Sequence, residues 1–147
     1  MSRPGRLWQV LVSHHGPEEA HHCYRLPLPG QPRLVCARCL GLYPTLLLMV
    51  IFESTVFRFE SEYRWLLSFG LVAPAVIDWA RGMLFRVRGS NAVRSLTGVL
   101  GGAGMGLAFS DYFRDSSSGH FWALIGVLAF LIALVWWVRP APDQDMV

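Results

Sequence analysis

Four long apolar stretches, separated by short polar segments, dominate the pattern of the chain. They cover residues 40–57, 65–80, 95–113 and 119–138. A membrane-spanning helix needs roughly 20 residues, within a range of about 17–25. The fourth stretch is the clearest, because residues 121–138 contain no charged side chain. The pattern predicts an all-α bundle of four transmembrane helices over residues 40–138, preceded by an N-terminal segment, 1–39, and followed by a tail, 139–147.

The composition supports a membrane location. The chain is 53% apolar and 16% charged, whereas a typical soluble domain has about 25% charged residues. Its mean hydropathy is +0.38. A buried soluble bundle is the alternative for the two stretches that are short and polar at one end. Four apolar stretches, however, leave little of the chain for a polar exterior, and we therefore expect membrane lipid as the surrounding partner.

The distribution of arginine predicts the orientation. All 13 basic side chains are Arg, and they fall between the apolar stretches rather than in one stripe, so nucleic acid is not an expected partner. Four spans put ten Arg on the side of both termini and three, Arg58, Arg64 and Arg114, on the other. Cytoplasmic loops carry the positive excess. We therefore expect a multi-pass protein of the bacterial inner membrane with both termini in the cytoplasm.

Cysteine and histidine are concentrated before the first span, where all three Cys and four of the five His lie. Cys36 and Cys39 form a C-x-x-C pair, whose spacing lets two thiolates bind one tetrahedral ion. Cys23 lies upstream of a loop rich in Pro and Gly that favours a return toward this pair. Cytoplasmic thiols stay reduced. Together with one His, the three thiols predict a structural zinc site of the Cys3His type.

Two other interpretations of the thiols stay open. Cys36 and Cys39 could cycle as a redox pair, although the strand–turn–helix context of a thioredoxin-like motif does not precede them. The cysteines could also simply line the start of a helix.

The N-terminal motifs resemble those of the DUF2085 family of small predicted membrane proteins. The similarity lies in residues 13–18 (SHHGPE), 23–25 (CYR) and, most specifically, 36–43 (CARCLGLY), with weaker matches at 78–79 and 91–98. This chain has Ser13 where the family pattern has a Cys, and Glu19 where it has an Arg. The resemblance implies that Cys23 supplies the missing thiolate and that His14 is the fourth zinc ligand. It implies no activity.

Polar residues at the cytoplasmic ends of the spans predict a second site. Asp78 and Arg81 lie three positions apart in the second stretch, a spacing that permits an ion pair on a helix. Other polar side chains begin the first and third spans at the same level, and charged groups in a bilayer are candidate sites by default. The predicted pocket consists of Arg38, Asp78, Arg81, Asn91 and Arg94. Its arginine excess suits an anionic lipid headgroup or a small anion.

Small residues mark one face of the third span. Gly98, Gly102 and Gly106 recur at four-residue spacing, which lets another helix backbone approach closely. The partner is either a helix of the same chain or, in a homodimer, a second copy.

The leading hypothesis is a membrane binding or accessory protein whose zinc ion orders the predicted pocket. The first alternative is a small transporter or a membrane enzyme that acts on a lipid or anion through Asp78, Arg81, Asn91 and Arg94, with Asp111 as a relay. The second is a thiol redox protein. The sequence contains no hydrolase or nucleotide-binding motif, and we assign no catalytic residue.

Overall fold

The computed structural model describes residues 21–26, 33–56, 58–59, 62–85, 87 and 89–139. Four helices account for most of these residues, and each is long and apolar enough to cross a membrane. They are α1 (Ala37–Thr55), α2 (Arg64–Phe85), α3 (Asn91–Arg114) and α4 (Gly119–Val138). The prediction of a four-span helical bundle is confirmed. Helices α2 and α3 extend past both ends of their apolar stretches, whereas α1 begins before its stretch and ends at Thr55, short of residue 57.

A short β-hairpin precedes the helices and was not expected. Strand β1 (Cys23–Leu26) pairs antiparallel with strand β2 (Arg33–Cys36), in a register that sets Cys23 opposite Cys36. Strand β2 ends at Cys36 and α1 begins at the next residue. The strand that leads into the C-x-x-C pair thus belongs to an antiparallel hairpin. Strands of four residues are too short to give a clear alternating pattern, and the loop between them lies outside the described residues.

Helix α3 is the centre of the bundle. It contacts the other three helices, and half of its apolar window is buried, against 17% for each of the others. Glycine permits this burial because it has no side chain, so the backbones of neighbouring helices can approach closely. On one side Gly104 lies against Ser68 and Val72 of α2.

The glycine stripe formed by Gly98, Gly102 and Gly106 lies against α1 of the same chain. A Cβ atom at Gly98 would meet the carbonyl oxygen of Arg38, and one at Gly102 would meet that of Leu42. A Cβ atom at Gly106 would lie 2.6 Å from Cβ of Met49. The order of these contacts shows that α1 and α3 run parallel. A homodimer through the same glycines would have to displace α1.

Aromatic packing attaches α4 to the bundle through its first turns. The ring of Phe121 lies 4.5 Å from that of Tyr112 and 5.1 Å from that of Phe109, measured between ring centroids. Phe121 and Leu124 are buried with Val72 of α2 and Ala108 of α3. Beyond this contact most of α4 presents exposed apolar side chains. Such a surface is suited to lipid rather than to water.

The close approach of α1 and α3 gives a testable consequence. The variant Gly102→Ala places a methyl group against the α1 backbone, which cannot move without separating the two helices. We expect its free energy of unfolding in detergent to fall by about 1–3 kcal/mol, the usual cost of overpacking. The matched control is Gly126→Ala, where an added Cβ meets open space and the helix gains from the higher propensity of Ala. Equal stability of the two variants would contradict the packing described.

Candidate functional site

The hairpin brings the three predicted thiols together. Cys23 and Cys36 are cross-strand neighbours, and 7% and 4% of their respective surfaces are exposed. Cys39, in the first turn of α1, shares a hydrogen bond with Cys36 and interacts electrostatically with Cys23. No disulfide joins the three. The described residues contain no group of three or more His, Cys, Asp or Glu side chains arranged to hold a metal ion. His14, the fourth predicted ligand, lies outside them.

The start of α3 fixes the hairpin to the bundle. The amide Nδ2 of Asn91 donates to the carbonyl oxygen of Cys23 at 3.4 Å. The Tyr24 hydroxyl lies 3.2 Å from Oγ of Ser95, and Ser95 donates in turn to the carbonyl oxygen of Ala37 at 3.0 Å. One helix therefore holds both the first strand and the first residue of α1. Asn91, predicted to line a pocket, has this anchoring role.

The structure also places the charged residues of the predicted pocket. Asp78 forms an ion pair with Arg38, the residue inside the C-x-x-C pair, rather than with Arg81, whose side chain is exposed. A Cβ atom at Gly89 would lie 3.6 Å from Oδ1 of Asp78 and 3.8 Å from Nε of Arg94, so both groups border the same glycine. Arg38, Asp78 and Arg94 thus meet beside the thiols. Nε of Arg38 and Oδ1 of Asn91 are buried without a hydrogen-bond partner.

A second polar group, which we term the far cluster, lies at the opposite end of the bundle. It consists of Glu53, Arg64, Asp111 and His120, one residue from each helix. Arg64 is its centre, with a side chain that is 9% exposed. Its Nη1 lies 2.9 Å from Oε2 of Glu53, and its Nε donates to Oδ2 of Asp111 at 3.1 Å. His120 completes the cluster through Nδ1, which is 2.7 Å from the same Asp111 oxygen.

Further hydrogen bonds satisfy the remaining donors of Arg64. Nη1 donates to the carbonyl oxygen of Phe59 at 2.7 Å. Nη2 donates to the carbonyl oxygen of Leu107 at 3.0 Å and to Oγ of Ser110 at 2.7 Å. A buried ion is tolerated when a partner charge and hydrogen bonds replace its hydration, and Arg64 has both. The far cluster therefore joins all four helices through one guanidinium, two carboxylates and one imidazole.

An open cleft of about 370 Å³ adjoins the far cluster. We call it the far cleft; its lining residues are Arg58, Arg64, Asp111, Arg114, Asp115 and Ser118. Arg58 lies 3.7 Å from Oδ1 of Asp111, and Arg114 donates to the carbonyl oxygen of Glu53 at 3.1 Å. The hydroxyl and backbone N–H of Ser117 hydrogen-bond to Asp115, and they hold the pKa of that carboxyl below its usual value.

The sequence interpretation missed the far cluster. From the sequence, Arg64 was predicted only to lie with Arg58 and Arg114 on the side opposite the termini. His120 was given no role. One signal was present: Glu53, Arg64 and Asp111 all lie at the same predicted level, at the ends of three different spans. Opposite charges at one level of a bundle are candidates for pairing, because an unpaired charge near lipid is costly.

Removing the central charge of the far cluster should be strongly destabilising. We expect Arg64→Met to lower the free energy of unfolding in detergent by about 3–5 kcal/mol, because two carboxylates lose their buried partner. The control is Arg81→Met, which removes an exposed arginine and should change stability by less than about 0.5 kcal/mol. An Arg64→Met protein as stable as the control would show that the cluster contributes nothing to the fold.

Comparison with known proteins agrees with the structure. The family model for DUF2085, described as a predicted membrane protein, matches residues 24–108. This match covers more than half of the chain, from the first strand to the buried part of α3, and includes the thiols of Cys36 and Cys39 and the pair formed by Arg38 and Asp78. No curated protein and no solved structure matches the chain. The chain belongs to the DUF2085 family of predicted membrane proteins.

Proposed function

We propose that this multi-pass membrane protein binds one zinc ion through Cys23, Cys36, Cys39 and His14, and that its role is binding or accessory rather than catalytic. The observation that carries the proposal is the hairpin register, which sets Cys23 directly opposite Cys36. Cross-strand neighbours have Cβ atoms about 4.5–5.5 Å apart. A third thiol, from Cys39, reaches the same pair. Three sulfur donors are typical of a structural zinc site.

The expected orientation agrees with this chemistry. The positive excess on the side of both termini favours a cytoplasmic location for the hairpin in a bacterial inner membrane. Thiols stay reduced in that compartment and are available as thiolate ligands. The donor set fits zinc in kind, since Zn²⁺ takes Cys sulfur and His nitrogen. Structural zinc has four ligands, and the proposal takes His14 as the fourth.

The ion would stabilise the hairpin against the ends of the helices. Without it, the contacts of the hairpin with α3 include the hydrogen bonds of Asn91 and Tyr24, both longer than 3.1 Å. Zinc at the thiols would add bonds between β1, β2 and the first turn of α1. Arg38 lies between two of the ligands, so its pairing with Asp78 and its position beside Arg94 would be ordered as well. An anionic lipid headgroup or a small anion is the ligand class that this arginine-rich surface would bind.

Thiol redox chemistry is the second candidate. It is favoured by one observation, the hydrogen bond that Cys39 shares with Cys36, because a reversible disulfide needs two thiols in contact. The same three cysteines serve both candidates, and metal content distinguishes them.

Metal content is the direct test. Wild-type protein and Cys36→Ser are purified in detergent under reducing conditions, and zinc is measured by elemental mass spectrometry. We expect about one zinc per chain in the wild type and loss of it in Cys36→Ser, together with faster proteolysis of the N-terminal segment and intact spans. The matched control is Ser54→Ala, which alters an exposed hydroxyl on the same helix and should retain the metal.

Two outcomes would contradict the zinc proposal. One is freshly prepared wild type without metal. The other is zinc retained by Cys36→Ser at the level of the control. A disulfide between Cys36 and Cys39 that forms reversibly in metal-free wild type would support the redox candidate instead.

A further inference from the structure

The far cleft has charges of both signs on its walls. Of its three arginines, Arg64 is held by Glu53 and by backbone carbonyl groups as well as by Asp111. Among the described residues, the other charges that line the cleft are Arg58 and Arg114 on one hand, and Asp111 and Asp115 on the other, with Arg58 3.7 Å from Asp111. Within this described lining the four formal charges balance. A single anion would meet two carboxylates in this cleft, and a single cation would meet two guanidinium groups.

Several polar groups around the cleft have hydrogen-bonding capacity left. Oδ1 of Asp111, which lies 3.7 Å from a guanidinium nitrogen of Arg58, and Nε2 of His120 are both buried without a hydrogen-bond partner. Arg114 has five N–H donors and, within the described part of the chain, makes one hydrogen bond, from Nη2 to Glu53. Asp115 is fully exposed and acts as an acceptor at the rim. Buried polar atoms without partners are uncommon, and each needs an explanation such as a bound molecule.

The cleft also lies at the depth where lipid headgroups are found. It is formed where α1 and α3 end and where α2 and α4 begin, so it opens at the end of the membrane-spanning region. Trp65 and Trp122 lie in the first turns of α2 and α4, and both are about half exposed. Nε1 of Trp122 donates to the carbonyl oxygen of Ser116 in the connection that borders the cleft. Exposed Trp at helix ends is typical of the membrane interface.

We propose that the far cleft binds a zwitterion in which a primary ammonium group and a phosphate are joined by a short linker, the chemistry of phosphoethanolamine. The phosphate lies between Arg58 and Arg114, which can offer bidentate donors. The ammonium binds at the exposed carboxylate of Asp115 and lies near that of Asp111. This arrangement gives each charge of the ligand an opposite charge on the wall. The source is either a phosphatidylethanolamine headgroup or a free phosphoethanolamine compound.

The first arm of the test measures lipid retention. The protein is reconstituted in phosphatidylcholine nanodiscs that contain equal minor fractions of phosphatidylethanolamine and phosphatidylglycerol, and retained lipids are measured by native mass spectrometry. We expect selective retention of phosphatidylethanolamine. The choline headgroup has no N–H to donate to Asp115, and phosphatidylglycerol has no cation. Arg114→Gln and Asp115→Asn should each weaken retention about tenfold, as expected for one lost charge-assisted hydrogen bond.

The second arm distinguishes a lipid from a free ligand. O-phosphoethanolamine is added to the protein in pure phosphatidylcholine nanodiscs, and the unfolding temperature is measured. Stabilisation that depends on Arg114 and Asp115, without selective lipid retention, assigns a free ligand. Selective lipid retention without such stabilisation assigns the lipid. Both variants alter exposed side chains, so folding should be preserved, and Arg81→Gln at the other end of the bundle is the matched control.

Three results would overturn the proposal. The first is equal retention of the three lipids together with no stabilisation by O-phosphoethanolamine. The second is preferential retention of phosphatidylglycerol, which would indicate a site for anions. The third is retention or stabilisation that Arg114→Gln and Asp115→Asn leave at the level of Arg81→Gln, because the ligand would then bind elsewhere.

Discussion

The burial of the Arg64 guanidinium is the constraint on which the assembly of the four helices depends. An ion removed from water loses several kcal/mol of solvation, and only an opposite charge with good geometry and further hydrogen bonds offsets that loss. Here Glu53 comes from α1 and Asp111 from α3, while His120 of α4 binds the same Asp111 oxygen. No pair of helices satisfies the cluster by itself. The charge therefore favours the complete bundle over any partly assembled state.

Close packing of α1 against α3 provides the second constraint, and it determines what lies at the other end. The glycine stripe aligns the two helices in parallel, so that Arg38 lies beside Gly98 and Glu53 reaches the level of Asp111. The same alignment places the thiols next to the first turn of α3, where Asn91 and Ser95 hold the hairpin. A single packed interface thus positions two polar sites that are separated by the length of a helix.

Much of the fold could be predicted from the sequence because membrane spans have a strong local signal. The charge-free stretch that forms α4 and the regular spacing of glycine in α3 are visible without any tertiary information. The hairpin was not predictable in the same way, because each strand has four residues. Its register matters most for the thiols, since a shift by one residue would turn Cys23 to the opposite face from Cys36.

The charge pairs were less predictable than the elements that carry them. Local spacing favoured pairing of Asp78 with Arg81, but the structure pairs Asp78 with Arg38, which lies forty residues away in the chain. The partners of Arg64 are likewise on other helices. Helical spacing shows which residues share a face, whereas the choice between two candidate partners depends on how the helices are aligned. That alignment is set by the contact of Gly98, Gly102 and Gly106 with α1.

The two ends of the molecule therefore have different physical characters. At the hairpin end, a compact group of thiols lies beside the pair of Arg38 and Asp78. At the far end, a buried cluster supports an open cleft whose charges balance. Both ends depend on ionised groups that are stabilised by partners from other helices, and the apolar middle of the bundle separates them.

The most direct test of this account compares Arg64→Met with a triple variant that also carries Glu53→Gln and Asp111→Asn. Unfolding of both is measured in detergent against the wild type. If the cluster stabilises the bundle by charge compensation, the triple variant is more stable than Arg64→Met, because it leaves no buried carboxylate without a partner. A triple variant that is less stable than Arg64→Met, with losses that add from site to site, would contradict the account.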